Sequence, residues 1–166
     1  MTPWVRSGGG QRRPYSIRVQ SAKTRWLALP AAVAVAALAW GCQRVEVRGQ
    51  SMAPTLAPGD RLLARRMVRA PRRLRPDDLV VLADPRYPRR AVVKRVAALP
   101  GQAAEAGGTL LAAGPRSIVV LGDHPGASTD SRSYGPVDLA AVRGRVWYRY
   151  APPQRAGRLR RRPRRR

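Results

Sequence analysis

After residue 43 the chain consists of short apolar runs, and each is bounded by Pro, Gly or Asp. Short runs between turn residues are typical of β-strands in an antiparallel domain, and no long amphipathic helix pattern interrupts them. We therefore predict a mainly β, partly barrel-like domain over residues 44–150. The runs cover residues 45–47, 61–64, 79–82, 91–97, 109–111, 118–121 and 145–150.

The segment before this domain has a different pattern. Residues 26–42 form a run of 17 residues without a charged side chain, with Trp26 and Trp40 near its ends. At about 1.5 Å per residue such a helix is roughly 25 Å long, the lower limit for crossing a bilayer. The basic flank predicts a retained transmembrane signal-anchor with a cytoplasmic N-terminus and an extracytoplasmic β domain. A cleaved signal peptide and a buried soluble helix are the alternatives.

Charge divides the chain further. The formal net charge is +24, and 31 of the 33 basic residues are arginine. Residues 1–25 are predicted to be a basic cytoplasmic arm, and residues 151–166 a disordered, arginine-rich tail attracted to anionic membrane lipids. No zinc-finger spacing, RNP-type aromatic motif or helix-turn-helix accompanies the charge, so no specific nucleic-acid binding is expected. A basic β protein that binds nucleic acid or anionic lipid remains the non-enzyme alternative, and it predicts that deleting the tail abolishes function.

Metal and disulfide chemistry have little support in this composition. The chain has one cysteine, which excludes an intramolecular disulfide, and one histidine, so no metal-ligand cluster is visible. We therefore predict no metal and no cofactor.

Lys94 is one of only two lysines in the chain, the other being Lys23. In a strand, Val92, Lys94 and Val96 would share one face, and desolvation there would lower the pKa of the amine. A lysine can then act as a neutral base, which arginine cannot do. The alternative is a lysine that extends its amine from a half-buried strand into solvent.

Ser51 is a candidate nucleophile. It lies in a loop close to Gly49, where backbone can approach a substrate, and its own N–H could stabilise an oxyanion. The serine needs an activating base, for which Lys94 is the preferred candidate. A Ser-His-Asp arrangement would instead need the single histidine, His124, with Asp123, Asp130 or another carboxylate as its partner.

The third segment that carries candidate catalytic residues is a polar loop at residues 122–137, GDHPGASTDSRSYGPV. Together with SMAPT and LAPGD around residue 51, and VVKRVAALPG around residue 94, it closely resembles the bacterial signal peptidase I family, peptidase family S26. These are serine proteases that use a Ser-Lys dyad. The order and spacing of the three boxes agree with the family, and so does the preceding hydrophobic segment.

The resemblance implies a fold and a set of residue roles. The fold is a mostly antiparallel β domain with coiled sheets, and substrates bind it in an extended form, as an added strand. The resemblance implies that Ser51 is the nucleophile, Lys94 the general base and Ser128 the residue that orients the lysine amine. It also implies that Met52 shapes the site beside the nucleophile. Asp130 and Arg132 would form a charged pair that braces the loop, and Asp123 would belong to the same structural box.

Two positions depart from the family pattern. His124 stands where the family usually has asparagine, and we expect a structural substitution there. Gly49 stands where some members have a serine that helps the oxyanion, so backbone N–H groups would have to contribute more.

The function predicted on this basis is removal of N-terminal signal or leader peptides from precursor proteins by a membrane-anchored serine endopeptidase. The short domain and basic tail also resemble the actinobacterial proteases that trim the nickel-type superoxide dismutase precursor, and mitochondrial inner-membrane proteases are similarly compact. A self-cleaving repressor protease shares the chemistry, but it would need an N-terminal DNA-binding domain where this chain has a predicted anchor.

Overall fold

The structure, a computed structural model, describes residues 41–67 and 74–159. The predicted arm, most of the predicted anchor and the last residues of the tail lie outside this part. Within it the chain forms ten strands, one short α-helix, α1 (Ser131–Tyr134), and three single-turn 3-10 helices. The strands are β1 (Cys42–Glu46), β2 (Arg61–Arg66), β3 (Leu79–Ala83), β4 (Ala91–Ala98), β5 (Ala103–Ala106), β6 (Thr109–Ala112), β7 (Ser117–Leu121), β8 (Val137–Asp138), β9 (Val142–Ala151) and β10 (Gly157–Arg158).

The prediction of a mainly β, antiparallel domain is confirmed. Eight strands form one sheet in the order β1-β2-β9-β3-β4-β7-β8 with β10 added beside β9, while β5 and β6 form a separate hairpin. All of the pairings are antiparallel. Register shifts interrupt the β2–β9, β3–β9 and β4–β7 pairings. Such irregularities bend strands and increase twist, which gives a curled sheet.

Strand β3 shows why the sequence of this domain contains short continuous apolar runs. Leu79 and Val81 pack in one hydrophobic core, while Val80 and Leu82 pack in a second. Because successive side chains of a strand point to opposite faces, both faces of the sheet are covered here. A strand buried on both faces reads as continuous apolar sequence rather than as alternation.

The described strands extend beyond residues 44–150 at both ends. Cys42 begins β1 at the residue where the predicted anchor ends. At the other end β9 reaches Ala151 and β10 follows, so the sheet continues past residue 150. Arg155 holds this extension by donating to Asp60 at 3.1 Å, and Leu159 packs against the first core. Within residues 41–67 and 74–159, no helix has the length and apolar character needed to span a membrane.

Candidate active site

Strand β4 buries Lys94, whose exposed fraction is 3%. Its neighbours at alternate positions, Val92 and Val96, pack in the second core, whereas Val93 packs against the first. Burial lowers the pKa of Lys94 below the ordinary value for an amine, and the nearby negative charges of Asp130 and Asp84 oppose this without reversing it. The site therefore favours the neutral amine more than water does.

The Lys94 amine is oriented by a chain of hydrogen bonds. Lys94 Nζ donates to Ser128 Oγ at 2.9 Å, and Ser128 Oγ donates to Asp130 Oδ2 at 2.7 Å. Asp130 is fully buried, and it also accepts hydrogen bonds from Arg132 Nε and the Gly122 N–H. Burial alone would raise the pKa of Asp130, but these hydrogen bonds outweigh it and hold the pKa below its usual value. The ionised carboxylate thus fixes the Ser128 O–H towards itself, which leaves a lone pair of Ser128 Oγ to accept from the amine.

Strand pairing brings the polar loop to Lys94. Arg95 of β4 pairs with Leu121, the last residue of β7, so the loop that starts at Gly122 leaves the sheet beside Lys94. The loop continues to Ser128 and Asp130, and Asp130 then caps α1 by accepting from the Arg132 N–H. The helix cap and the lysine contact therefore depend on the same carboxylate.

Ser51 joins this group through the backbone. It lies in the turn that follows β1, and its carbonyl oxygen accepts from the His124 N–H at 3.1 Å. A Cβ on Gly122 would lie 2.1 Å from Ser128 Oγ and 2.6 Å from the Ser51 carbonyl oxygen. These two atoms therefore flank the same glycine. Within the described residues, neither the hydroxyl nor the N–H of Ser51 makes a hydrogen bond, so both groups remain available to a ligand.

A cleft of about 480 Å³ opens beside Ser51. It is lined by residues 43–49 on one side and 90–93 on the other, with Ser51 and Met52 between them. Met52 is buried in the first core and also lines the cleft. The structure thus places the predicted nucleophile at the wall of a groove that an extended chain could enter.

Comparison with known proteins identifies the family. Residues 20–116 match the family model described as signal peptidase, peptidase S26. The mitochondrial ATP-independent inner membrane protease subunit 1a of Arabidopsis thaliana is 36% identical over 124 residues, which cover 69% of this chain and 73% of the relative. The chain belongs to the peptidase S26 family.

Animal relatives agree with this membership. The mitochondrial inner membrane protease subunit 2 of Mus musculus is 36% identical over 121 residues, covering 68% of this chain and 69% of the relative. Subunit 1 of Homo sapiens is 31% identical over 127 residues, covering 69% and 73%. The resemblance identified from the three sequence boxes is confirmed, and this S26 chain is a protease.

A second buried cluster of the S26 domain was not predicted from the sequence. Arg95 donates to both carboxylate oxygens of Asp123, at 2.8 and 2.7 Å, and Thr55 Oγ1 donates to the same carboxylate at 2.6 Å. Arg95 also donates to the Asp77 carbonyl at 3.0 Å. This cluster joins the serine box, the lysine box and the polar loop. The signal that could have revealed it is Arg95 itself, since an arginine within a buried strand requires a carboxylate partner.

The remaining predicted residues have the following positions. Arg132 pairs with Asp130, and Asp123 pairs with Arg95. The His124 side chain is exposed. Among the residues that the structure describes, no group of three or more His, Cys, Asp or Glu side chains is placed to hold a metal ion.

Proposed function

We propose that this chain is a membrane-anchored serine endopeptidase that removes N-terminal signal or leader peptides from precursor proteins. Ser51 is the nucleophile and Lys94 is the general base in this proposal. The observation that carries it is the hydrogen-bond chain from buried Lys94 through Ser128 to Asp130, beside a glycine that also contacts Ser51. Lowered amine basicity, a fixed amine orientation and a nearby serine are the requirements of a Ser-Lys dyad.

The reaction proceeds in two stages. The Ser51 hydroxyl attacks the carbonyl carbon of the scissile bond, and its proton passes to the neutral amine of Lys94. The Ser51 N–H stabilises the oxyanion, and the Lys94 ammonium then gives its proton to the departing amine. Lys94, neutral again, takes a proton from the water that attacks the acyl-enzyme. The Lys94 ammonium then gives this proton to the departing Ser51 Oγ, which releases the carboxylate product and restores the Ser51 hydroxyl and the neutral amine.

The alternative base, His124, receives less support. Its side chain is exposed, whereas Lys94 is buried. The two carboxylates considered as its partners are each paired with an arginine, Asp123 with Arg95 and Asp130 with Arg132. A histidine base needs a carboxylate to orient its ring, and here those carboxylates orient other groups.

Strand edges beside the cleft fit a substrate that binds in an extended form. β1 pairs with β2 alone, so its other edge is free within the described sheet. β4 pairs with β3 from residue 91 onwards but with β7 only from Arg95, which leaves one edge of residues 91–94 open. An extended leader segment can add its backbone hydrogen bonds to such edges.

Membrane attachment is proposed from two sources. The relatives named above are inner membrane proteases. In this chain the predicted anchor, residues 26–42, leads directly into β1, whose residues line the cleft. An anchor in that position would hold the cleft close to the bilayer surface, where a leader segment leaves the membrane.

The deciding experiment compares Ser51→Ala and Lys94→Arg with the wild-type chain on a precursor that carries a signal peptide. Both variants should lose cleavage by a factor on the order of 10² or more, because arginine stays charged and cannot accept the serine proton. Lys23→Arg, the same exchange at the other lysine, is the matched control and should cleave normally. Normal cleavage by Lys94→Arg would refute the dyad.

A further inference from the structure

The cleft beside Ser51 is strongly basic. Its walls carry Arg44, Arg48, Arg90 and Arg143, against a single acidic side chain, Glu46. Five of the nine carboxylates in the chain form salt bridges with arginines elsewhere, and these are Asp60, Asp78, Asp84, Asp123 and Asp130. Little negative charge is therefore left to balance the arginines of the cleft.

The cleft arginines are arranged along its strands. Arg44 and Arg48 are exposed and lie at alternate positions on either side of Glu46, so the three side chains follow one face of β1 and its extension. Arg90 is exposed on the opposite wall, just before β4. Among the residues that the structure describes, Arg44, Arg48 and Arg90 form no salt bridge. Within the same part of the chain, the Arg143 guanidinium donates to the Pro88 carbonyl.

We infer that the cleft selects extended peptide segments that carry two acidic side chains four residues apart. Side chains four residues apart in a strand lie on one face about 13 Å from each other, which is also the separation of Arg44 and Arg48, with Glu46 between them. Carboxylates facing Arg44 and Arg48 would meet guanidinium groups that form no salt bridge within the described residues, whereas a basic segment would be repelled. The inference rests on the proposed function, since it names the substrate class for the same site.

The first test uses the full-length chain and a matched set of peptides that share one cleavage site. One peptide carries Asp or Glu at two positions four residues apart, and its counterpart carries Asn or Gln there. A series of peptides moves this pair of positions along the segment on each side of the cleavage site. We expect kcat/KM to be roughly three- to tenfold higher for the acidic peptide in the best register, mainly through KM, since exposed ion pairs contribute modestly. The preference should shrink as salt concentration rises.

Arginine variants locate the preference. Arg44→Gln/Arg48→Gln should bring kcat/KM for the acidic peptide close to kcat/KM for the neutral peptide, so that most of the discrimination between the two is lost. Arg116→Gln is the control, because Arg116 is an exposed arginine next to β7 and outside the cleft. It should keep the full preference.

A binding measurement separates this inference from the proposed reaction. The Ser51→Ala variant is titrated with the fluorescent acidic peptide and its neutral counterpart. Equal affinities, or a preference that Arg44→Gln/Arg48→Gln leaves intact, would overturn the inference even if the enzyme cleaves both peptides. A preference seen in binding without any cleavage would uphold the inference and count against the proposed function. If Arg44→Gln/Arg48→Gln lost binding to phosphatidylglycerol vesicles but kept the peptide discrimination, the two arginines would be assigned to membrane binding. That result would also overturn the inference.

Discussion

Two adjacent residues of β4 bury a basic group in different ways. Arg95, 6% exposed, has the Asp123 carboxylate as a direct partner, with two hydrogen bonds and a further donor from Thr55. Lys94, 3% exposed, meets a hydroxyl instead, and the Asp130 carboxylate lies one hydrogen bond further away. The charge of Arg95 is thus balanced by a carboxylate. Burial instead lowers the pKa of Lys94, whose amine can lose its charge.

The difference explains why lysine occurs here in a chain in which 31 of the 33 basic residues are arginine. A buried guanidinium keeps its charge, so it is stable only with a direct carboxylate partner, which makes it a brace. A buried amine can become neutral, so a hydroxyl is enough to hold it. The Arg95 cluster is thus expected to determine stability, and the Lys94 cluster to determine activity.

Breaking the Arg95 cluster should have the largest effect. Arg95→Met leaves the Asp123 carboxylate buried without its principal partner, and we expect a loss of about 3–5 kcal/mol in the free energy of unfolding. Urea denaturation at neutral pH measures it. The double variant Arg95→Met/Asp123→Asn should lose less, because the buried negative charge is removed as well. A single variant as stable as the wild type would contradict the assignment of Arg95 as a brace.

Gly122 offers a way to disturb the Lys94 cluster while leaving the Arg95 pair chemically intact. In Gly122→Ala the new methyl group would collide with Ser128 Oγ and with the Ser51 carbonyl oxygen. Ser51 and Ser128 would therefore have to move apart. We expect cleavage to fall about 10²-fold, the usual cost of misplacing reacting groups by about 1 Å. Overpacking should also cost roughly 1–3 kcal/mol of stability.

The control for this variant is Gly126→Ala in the same loop, where an added Cβ would contact nothing within 4 Å. It should retain both cleavage and stability. Cleavage of the precursor is followed by gel, and unfolding by urea. A fully active Gly122→Ala enzyme would mean that Ser51 and Ser128 do not depend on each other's position.

Much of the fold followed from local sequence. The seven predicted apolar runs all became strands, because β-branched and leucine-rich runs between turn residues have few other solutions. β5 was missed, since Ala103–Ala106 contains no residue with a strong preference for strands. The two-residue strands β8 and β10 were missed because their pairing comes from neighbours in space rather than from their own composition.

Only part of the candidate site could be predicted from the sequence. The boxes around Ser51, Lys94 and Ser128 were identified from the sequence, and the structure places them around Gly122. The position of Gly122 between Ser51 and Ser128 could not be predicted, and neither could the pairing of Arg95 with Asp123. Both depend on the register between β4 and β7 and on the course of the loop that follows β7. The basic lining of the cleft likewise requires knowing which arginines meet across two strands.

The smallest expected effect concerns stability rather than catalysis. Because burial lowers the pKa of Lys94 in the folded protein, the unfolded chain binds more protons between that folded pKa and the ordinary value of 10.5. The contribution of this group to stability therefore rises with pH through that window, and below it the full penalty for a buried ammonium applies.

Lys94→Met, which has a similar volume and no charge, should be more stable than the wild type at neutral pH. The gap between their free energies of unfolding should narrow as pH rises towards 10.5. Urea denaturation of both proteins across this range measures the gap, with Lys23→Met as the control that should show none. A gap that is constant with pH would mean that the lysine carries the same charge in the folded and unfolded chains, which would leave Lys94 no better suited than Arg95 to act as a base.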